Sequence, residues 1–277
     1  MGGRAPGARE CFPADPNGGI RLLSRAPDTM TPSEFAAAYI KPPVLLPYSA
    51  AAPESDVWDA VCEADAARDA DAGGAAGGGD GGGARVRLIY SGYVISAGPR
   101  DSEYSVGRWT REHVWPKSHG GMSTRVPGIG TDAHNIFAAD QSVNSARSDR
   151  DFDDLPGGDP VVDTSDTHGY GGETLARTSG GFWEPPDRAK GPVSRALLYM
   201  ACAYADSGLR LARGATPRGG KALGDLEAVL RWNDAFPPGP DEVERNNAVQ
   251  RHQGNRNPFI DMPELARLVD WDRSVRE

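Results

Sequence analysis

At 277 residues, with 38% hydrophobic and 25% charged side chains, the chain has the composition of a soluble globular protein of one large domain or two small ones. A formal net charge of −9 excludes a protein that coats nucleic acid by bulk electrostatics, although it says nothing against a local basic cleft. No apolar run approaches the length of a membrane span, and no apolar core follows Arg4 and Arg9, so no membrane association and no signal peptide are expected and the compartment stays open.

In chain order, residues 1–30 lack periodicity and read as a flexible tail; residues 31–277 read as a single domain. Thr31-Pro32-Ser33-Glu34 opens a short helix, with Thr31 as N-cap, Pro32 at N1 and Glu34 completing a capping box. Val57, Val61 and Ala64 suggest a second helix. A Gly/Ala-rich stretch at about 66–84 cannot bury enough surface to offset its ordering entropy; it is expected to be a disordered insertion within the domain. The apolar run Val86–Tyr90 predicts a central strand. Thr110–Val114 predicts another, stopped by Pro116, and Thr131–Phe137 a third. Asp140 is the expected N-cap of a helix reaching about Asp149. Residues 153–181 read as loop. Pro192 at N1 predicts a helix to about Asp206, with Val193, Leu197, Met200, Ala201 and Tyr204 on its apolar face. Leu223–Trp232, Asp241–His252 and Pro263–Val269 predict three more helices. The class is α+β, without internal repeats. Cys11, Cys62 and Cys202 form no CxxC pair, so a cysteine metal site is not expected; free thiols are favoured over a Cys62–Cys202 disulfide.

The chemistry concentrates between Arg111 and Arg147. His113 follows a carboxylate, Glu112, and a neutral imidazole can take a proton from water near pH 7. Asn144 and Arg147 stand three apart, which a helix places on one face. Glu112 and the Asn144 amide oxygen are hard ligands, a sparse shell of the kind Mg²⁺ accepts because it keeps waters and takes phosphate oxygens. Arg147 can hold a phosphate through two hydrogen bonds. One geometric condition arises: neighbouring strand residues point to opposite faces, so Glu112 and His113 share a site only if a bulge or the strand end re-aims one of them. Asp132 and His134 alternate onto one face of the next strand; they either buttress His113 or pack in the core. Arg111, Lys117 and Arg125 enrich the region in basic groups and are candidate substrate contacts to flanking phosphates, against plain solvation of surface charge.

Arg111-Glu112-His113-Val114-Trp115-Pro116-Lys117-Ser118 resembles the signature of the endonuclease I family of His-Me finger (ββα-metal) nucleases. Thr131–Ile136 and Asp140–Arg147 resemble the second strand and helix of that motif. Phe182–Pro186, Lys190-Gly191, Arg195–Tyr199, Trp232-Asn233, Glu244–Asn246 and Gln253–Asp261 resemble later blocks, so the likeness runs in order over about residues 86–269. The resemblance implies a ββα-metal core wrapped by helices and long loops. It implies His113 as general base and Glu112 and Asn144 as ligands of one Mg²⁺, for which other divalent cations can substitute. It implies little sequence preference on DNA, RNA or both, with 5′-phosphate and 3′-hydroxyl ends. Members are commonly exported. A monomer is expected, with DNA and/or RNA as substrate and room for an inhibitor protein in the host cell. The alternative is a nucleic-acid-binding protein without catalysis.

Overall fold

The computed structural model describes residues 29–51, 53–68, 83–98, 108–155, 161–163, 173–217 and 219–272, with side chains left aside at 161–163 and 173–175. Most of the expected tail, most of the Gly/Ala-rich stretch, and Cys11 lie outside the described residues. The fold is α+β, with helices packed around small sheets.

α1 (Pro32–Tyr39) begins at the capping box: the Thr31 side chain accepts from Glu34 N–H, and Thr31 N–H donates to Glu34 at 2.8 Å. α2 (Val57–Ala64) is capped by Asp56 in the same reciprocal way with Asp59. Its end meets the next strand directly, since Ala66 bridges Val86 and Ala67 N–H donates to Arg85 O at 2.9 Å. β1 (Arg85–Arg87) pairs antiparallel with β2 (Val94–Ser96) in a two-stranded ribbon, not as a longer central strand. The run ends early because a turn follows. Gly92 N–H donates to Leu88 O at 2.8 Å, and Gly92 takes φ +73°, where a side chain would be strained. Ile89 N–H donates to Ala138 O at 2.9 Å and ties this turn to the centre of the molecule.

That centre is β3 (Trp109–His113) against β4 (Ile136–Asp140), followed by α3 (Gln141–Arg147). The register runs without a bulge from Trp109 opposite Asp140 to His113 opposite Ile136. β4 starts later than the expected strand at Thr131. Residues Ile129–Thr131 and Ala133–Asn135 form 3-10 turns instead, because Asp132 accepts from His134 N–H at 2.9 Å and closes the turn locally. Asn135 then stands in for a strand partner. Its side chain accepts from Trp115 N–H at 2.7 Å and donates to Trp115 O at 3.1 Å. Asp140 caps α3 by accepting from Ser142 and Val143 N–H, as its position predicts. α3 stops at Arg147, where Ser148 turns to φ 55°.

Beyond α3 lies a four-stranded sheet in the order β5 (Asp151–Phe152), β8 (Phe182–Glu184), β7 (Glu173–Ser179), β6 (Val161–Asp163). Part of the expected 153–181 loop is therefore strand, closed on itself by the hairpin turn at Gly180 (φ +57°). α4 (Asp187–Ala203) starts five residues before Pro192, which sits inside it. The early start is supported by Asp187 in the first turn, paired with Lys190 at 3.0 Å. β9 (Arg210–Leu211) and β10 (Ala222–Leu223) form a short parallel pair. α5 (Leu226–Ala235), α6 (Pro240–Gln253) and α7 (Pro258–Asp261) complete the helices, and Pro263–Leu268 is a 3-10 segment. Gly254 ends α6 at φ +79°. Cys62 and Cys202 are not joined in a disulfide. Among the described residues no helix is long and apolar enough to cross a membrane.

Two cores flank the central ladder. The larger surrounds α4 and includes Phe35, Trp183, Leu197, Met200, Trp232 and Phe259. The smaller joins α2 to β1 and the ladder through Val57, Trp58, Val86, Leu88, Trp109 and Ile136. Every residue of β3 and β4 is consequently buried, polar ones included. Thr110, Arg111, Glu112 and His113 must find partners inside the protein.

Candidate active site

Those partners define the site. The Glu112 carboxylate is 1% exposed. Its Oε1 accepts from the Tyr90 hydroxyl at 2.7 Å and from an Arg147 guanidinium N–H at 3.0 Å. Burial raises its pKa and Arg147 opposes that rise. Asn144, half-buried on α3, lies against the same strand: its Nδ2 is 3.5 Å from Arg111 O, at the edge of hydrogen-bond distance. That orientation leaves the amide oxygen as the end able to accept a cation. Glu112, through Arg147, and Asn144, through the Arg111 carbonyl, each link β3 to α3, one offering a carboxylate and the other an amide oxygen. No cluster of three or more His, Cys, Asp or Glu with a metal-binding arrangement exists among the described residues. The oxygens present fit a hard cation that keeps most of its shell as water, Mg²⁺ above all.

His113 occupies the last rung of β3. Its Nε2 lies 2.9 Å from Gly130 O, and a carbonyl can only accept, so Nε2 carries the hydrogen and Nδ1 the lone pair. Burial, with the cations Lys117, Arg111 and Arg147, lowers its pKa to about 3, against the lift from Gly130 O. The imidazole is therefore neutral throughout the physiological range. The ladder is regular, without a bulge, and β3 ends at His113, so the strand end is where its side chain can depart from the alternation.

Tyr48 stands beside His113, and nothing in the sequence around it signals this. Its ring stands 5.7 Å from the His113 ring and 5.9 Å from Lys117 Nζ. Burial raises its pKa, Arg111 lowers it, and Glu112 raises it further, so the phenol senses the carboxylate. Tyr90 and Gly130 were equally silent. Gly130 has a physical reason to be glycine: an added Cβ would sit 2.4 Å from Ser123 O.

Several expected substrate contacts are placed elsewhere. Arg111 is 5% exposed, its guanidinium stacked 3.3 Å from the Tyr48 ring centre and 3.8 Å from that of Trp58, and it donates to Tyr48 O. It is a buried cation between two rings, not a surface phosphate contact. Arg147 is fully buried. Besides Glu112 it donates to His113 O at 2.9 Å and Val114 O at 2.6 Å and covers the Phe152 ring at 4.3 Å. This placement suits holding Glu112 and the end of β3, and it leaves no guanidinium face for a phosphate clamp. Asp132 and His134 are buried too, without a hydrogen bond to His113. Asp132 accepts from Tyr199 and Tyr204 hydroxyls at 2.8 and 2.7 Å and from Gln253 at 2.8 Å. His134 packs on the Tyr199 ring at 4.6 Å. Their network joins the turn before β4 to α4 and α6, the core-packing alternative. His119, in a 3-10 turn, is likewise buried and bonds Ala222 O at 2.8 Å. Lys117 and Arg125 are exposed, Lys117 beside Tyr48.

A family model described as Endonuclease I matches residues 48–264, beginning at Tyr48 itself. An extracellular ribonuclease of Bacillus amyloliquefaciens is 42% identical over 167 residues, covering 58% of this chain and 54% of the relative. An extracellular ribonuclease of Bacillus subtilis (strain 168) is 39% identical over 176 residues, with the same coverages, 58% and 54%. An extracellular deoxyribonuclease of Aeromonas hydrophila is 30% identical over 132 residues, covering 47% and 49%. The chain spans about half the length of the relatives it matches.

Proposed function

The chain belongs to the endonuclease I family, and from that premise we propose that it is an endonuclease that hydrolyses phosphodiester bonds at the Glu112–His113–Asn144 site, leaving 5′-phosphate and 3′-hydroxyl ends. The observation that carries the reading is His113: a buried, neutral imidazole with Nε2 committed to Gly130 O, so that Nδ1 faces the chemistry as a base in one fixed tautomer. His113 takes a proton from the attacking water. Its position among Lys117, Arg111 and Arg147 favours an anionic substrate beside it. Lys117 and Arg125 hold flanking phosphates without reading sequence. Glu112 and Asn144 would hold one Mg²⁺, which when bound would supply charge neutralisation at the phosphate. Tyr48 walls one side of the His113 ring. Arg147 keeps Glu112 ionised and the end of β3 in place.

Relatives named ribonucleases share 42% and 39% identity, and the one named a deoxyribonuclease 30%, so RNA is the substrate class to assay first and DNA second. The test uses single-stranded RNA and supercoiled plasmid in Mg²⁺ and in EDTA, with end-labelling of the products. Internal cleavage in Mg²⁺ alone, yielding 5′-phosphate ends, is expected. Cleavage undiminished in EDTA, or 3′-phosphate ends, would refute the proposed chemistry. Retention of nucleic acid with no cleavage under any condition would favour a binding protein.

A further inference from the structure

Glu112 carries two donors on one oxygen. Tyr90 Oη at 2.7 Å and Arg147 at 3.0 Å both address Oε1. A carboxylate has two oxygens with about four lone-pair directions, and loading one oxygen leaves the other as the ligating end. The two donors also come from different places. Arg147 belongs to α3, which also carries Asn144. Tyr90 belongs to the turn after β1, where it is anchored twice. Arg188 of α4 donates to Tyr90 O, and the Tyr90 ring meets Trp183 edge-on at 5.7 Å. Arg188 lies directly over Gly92, where an added Cβ would meet its Nε at 2.5 Å. The turn from Tyr90 to Gly92 is thus wedged between α4 and the central ladder with its phenol aimed at one carboxylate oxygen.

We infer that Tyr90 is a positioning residue: its hydroxyl, with Arg147, fixes the Glu112 carboxylate so that Oε2 is presented to the divalent cation. The inference rests on the proposed Glu112–Asn144 cation site. A ligand carboxylate that must be turned and held on binding costs affinity, and outer partners that hold it in advance are worth about 10–100-fold in metal affinity. Arg147 cannot test this cleanly because its removal strands a buried charge. Tyr90→Phe can, since it deletes one hydroxyl and keeps the ring against Trp183.

A control exists in the same molecule. Tyr199 is also buried and also donates its hydroxyl to a buried carboxylate, Asp132 Oδ2, at 2.8 Å, away from Glu112, and it accepts from Asn255 at 2.8 Å. Tyr199→Phe therefore costs at least as much stability without touching the cation site. The experiment titrates the full chain with Mn²⁺ and Mg²⁺ by calorimetry, without substrate, and records Tm for each variant. Both variants are expected to lower Tm, Tyr199→Phe at least as far as Tyr90→Phe. Only Tyr90→Phe is expected to weaken the cation, by about 10–100-fold. Its cleavage rate should return toward wild type at saturating Mg²⁺, with KM for RNA unchanged. Equal cation affinity in wild type and Tyr90→Phe would overturn the inference while leaving the cation site intact. Equal weakening in both variants would assign the effect to stability and overturn it too. Absence of cation binding by the wild type would overturn both the inference and the site on which it rests.

Discussion

Arg147→Met separates two jobs for one guanidinium. The side chain pairs with Glu112 at 3.0 Å, with side-chain exposures of 0% and 2%, and makes two more hydrogen bonds to His113 O and Val114 O. Methionine keeps the apolar contact with Phe152 and removes the charge. Glu112 then remains buried as an uncompensated carboxylate, and Tyr90 is its one remaining donor among these contacts. Breaking a buried pair in this way costs about 3–5 kcal/mol. At about 2–4 °C per kcal/mol for a chain of this size class, Tm should fall by roughly 10 °C. In Glu112→Gln the charge is gone, so the second substitution should cost less. The double variant is expected to fall short of the sum by about 2 kcal/mol, within the range for directly coupled residues. Urea and thermal unfolding of the four proteins measure this coupling. The reasoning is refuted if Arg147→Met unfolds like wild type and instead raises KM for nucleic acid at unchanged kcat. That outcome would return Arg147 to the substrate as a phosphate clamp.

Arg111→Ala is expected to behave as a core lesion, losing about 2 kcal/mol from its two ring contacts and packing with little change in the salt dependence of binding. Lys117→Ala should do the reverse, keeping Tm and reducing the slope of log K against log salt by about one; identical salt slopes in the two variants would contradict their placement. Gly130→Ala should lower kcat about 100-fold, because the new Cβ must push Ser123 O away and carry the His113 acceptor with it; wild-type kcat in a folded variant would show that the Gly130 contact is dispensable. His134 has its pKa lowered to about 4, first by burial, against the lift from Asp132. Its unfolded value is about 6.5, so the unfolded chain binds the extra proton first as pH falls. The stability His134 contributes is fully present above about pH 6.5, is lost progressively down to about pH 4, and levels off below. Each unit of separation is worth about 1.4 kcal/mol, hence about 3 kcal/mol in all. His134→Gln should remove that part of the slope in urea melts at pH 7, 5.5 and 4; parallel slopes would show that His134 does not titrate in this way.

The site was legible where it is local in sequence. Glu112 beside His113, the Asp140 cap and the three-residue step from Asn144 to Arg147 all lie within one strand–turn–strand–helix unit, so spacing alone brings them near one another. The partners that decide each residue's role are remote. Arg147 faces Glu112 across 35 positions, Tyr90 reaches it across 22, and Arg111 is stacked by Tyr48, 63 positions away. Nothing periodic marks such contacts, and an arginine near a catalytic motif reads as a phosphate ligand until its neighbours are known. The fold shows the same division. The capped starts of α1 and α3 follow from side chains within three residues. The late start of β4 does not, because Asp132 and Asn135 satisfy backbone groups that a strand would have used. Pro192 misled for a related reason: the Asp187–Lys190 pair carries the helix start upstream of it.

The central claim is that His113 is the base at a divalent-cation site. It is tested most directly by the single-turnover rate of RNA cleavage in Mg²⁺ by the wild type and by His113→Ala of equal Tm. The account predicts a loss of about 10²–10⁴ in rate for the variant, with cation affinity retained. Cleavage by His113→Ala at the wild-type rate would contradict it.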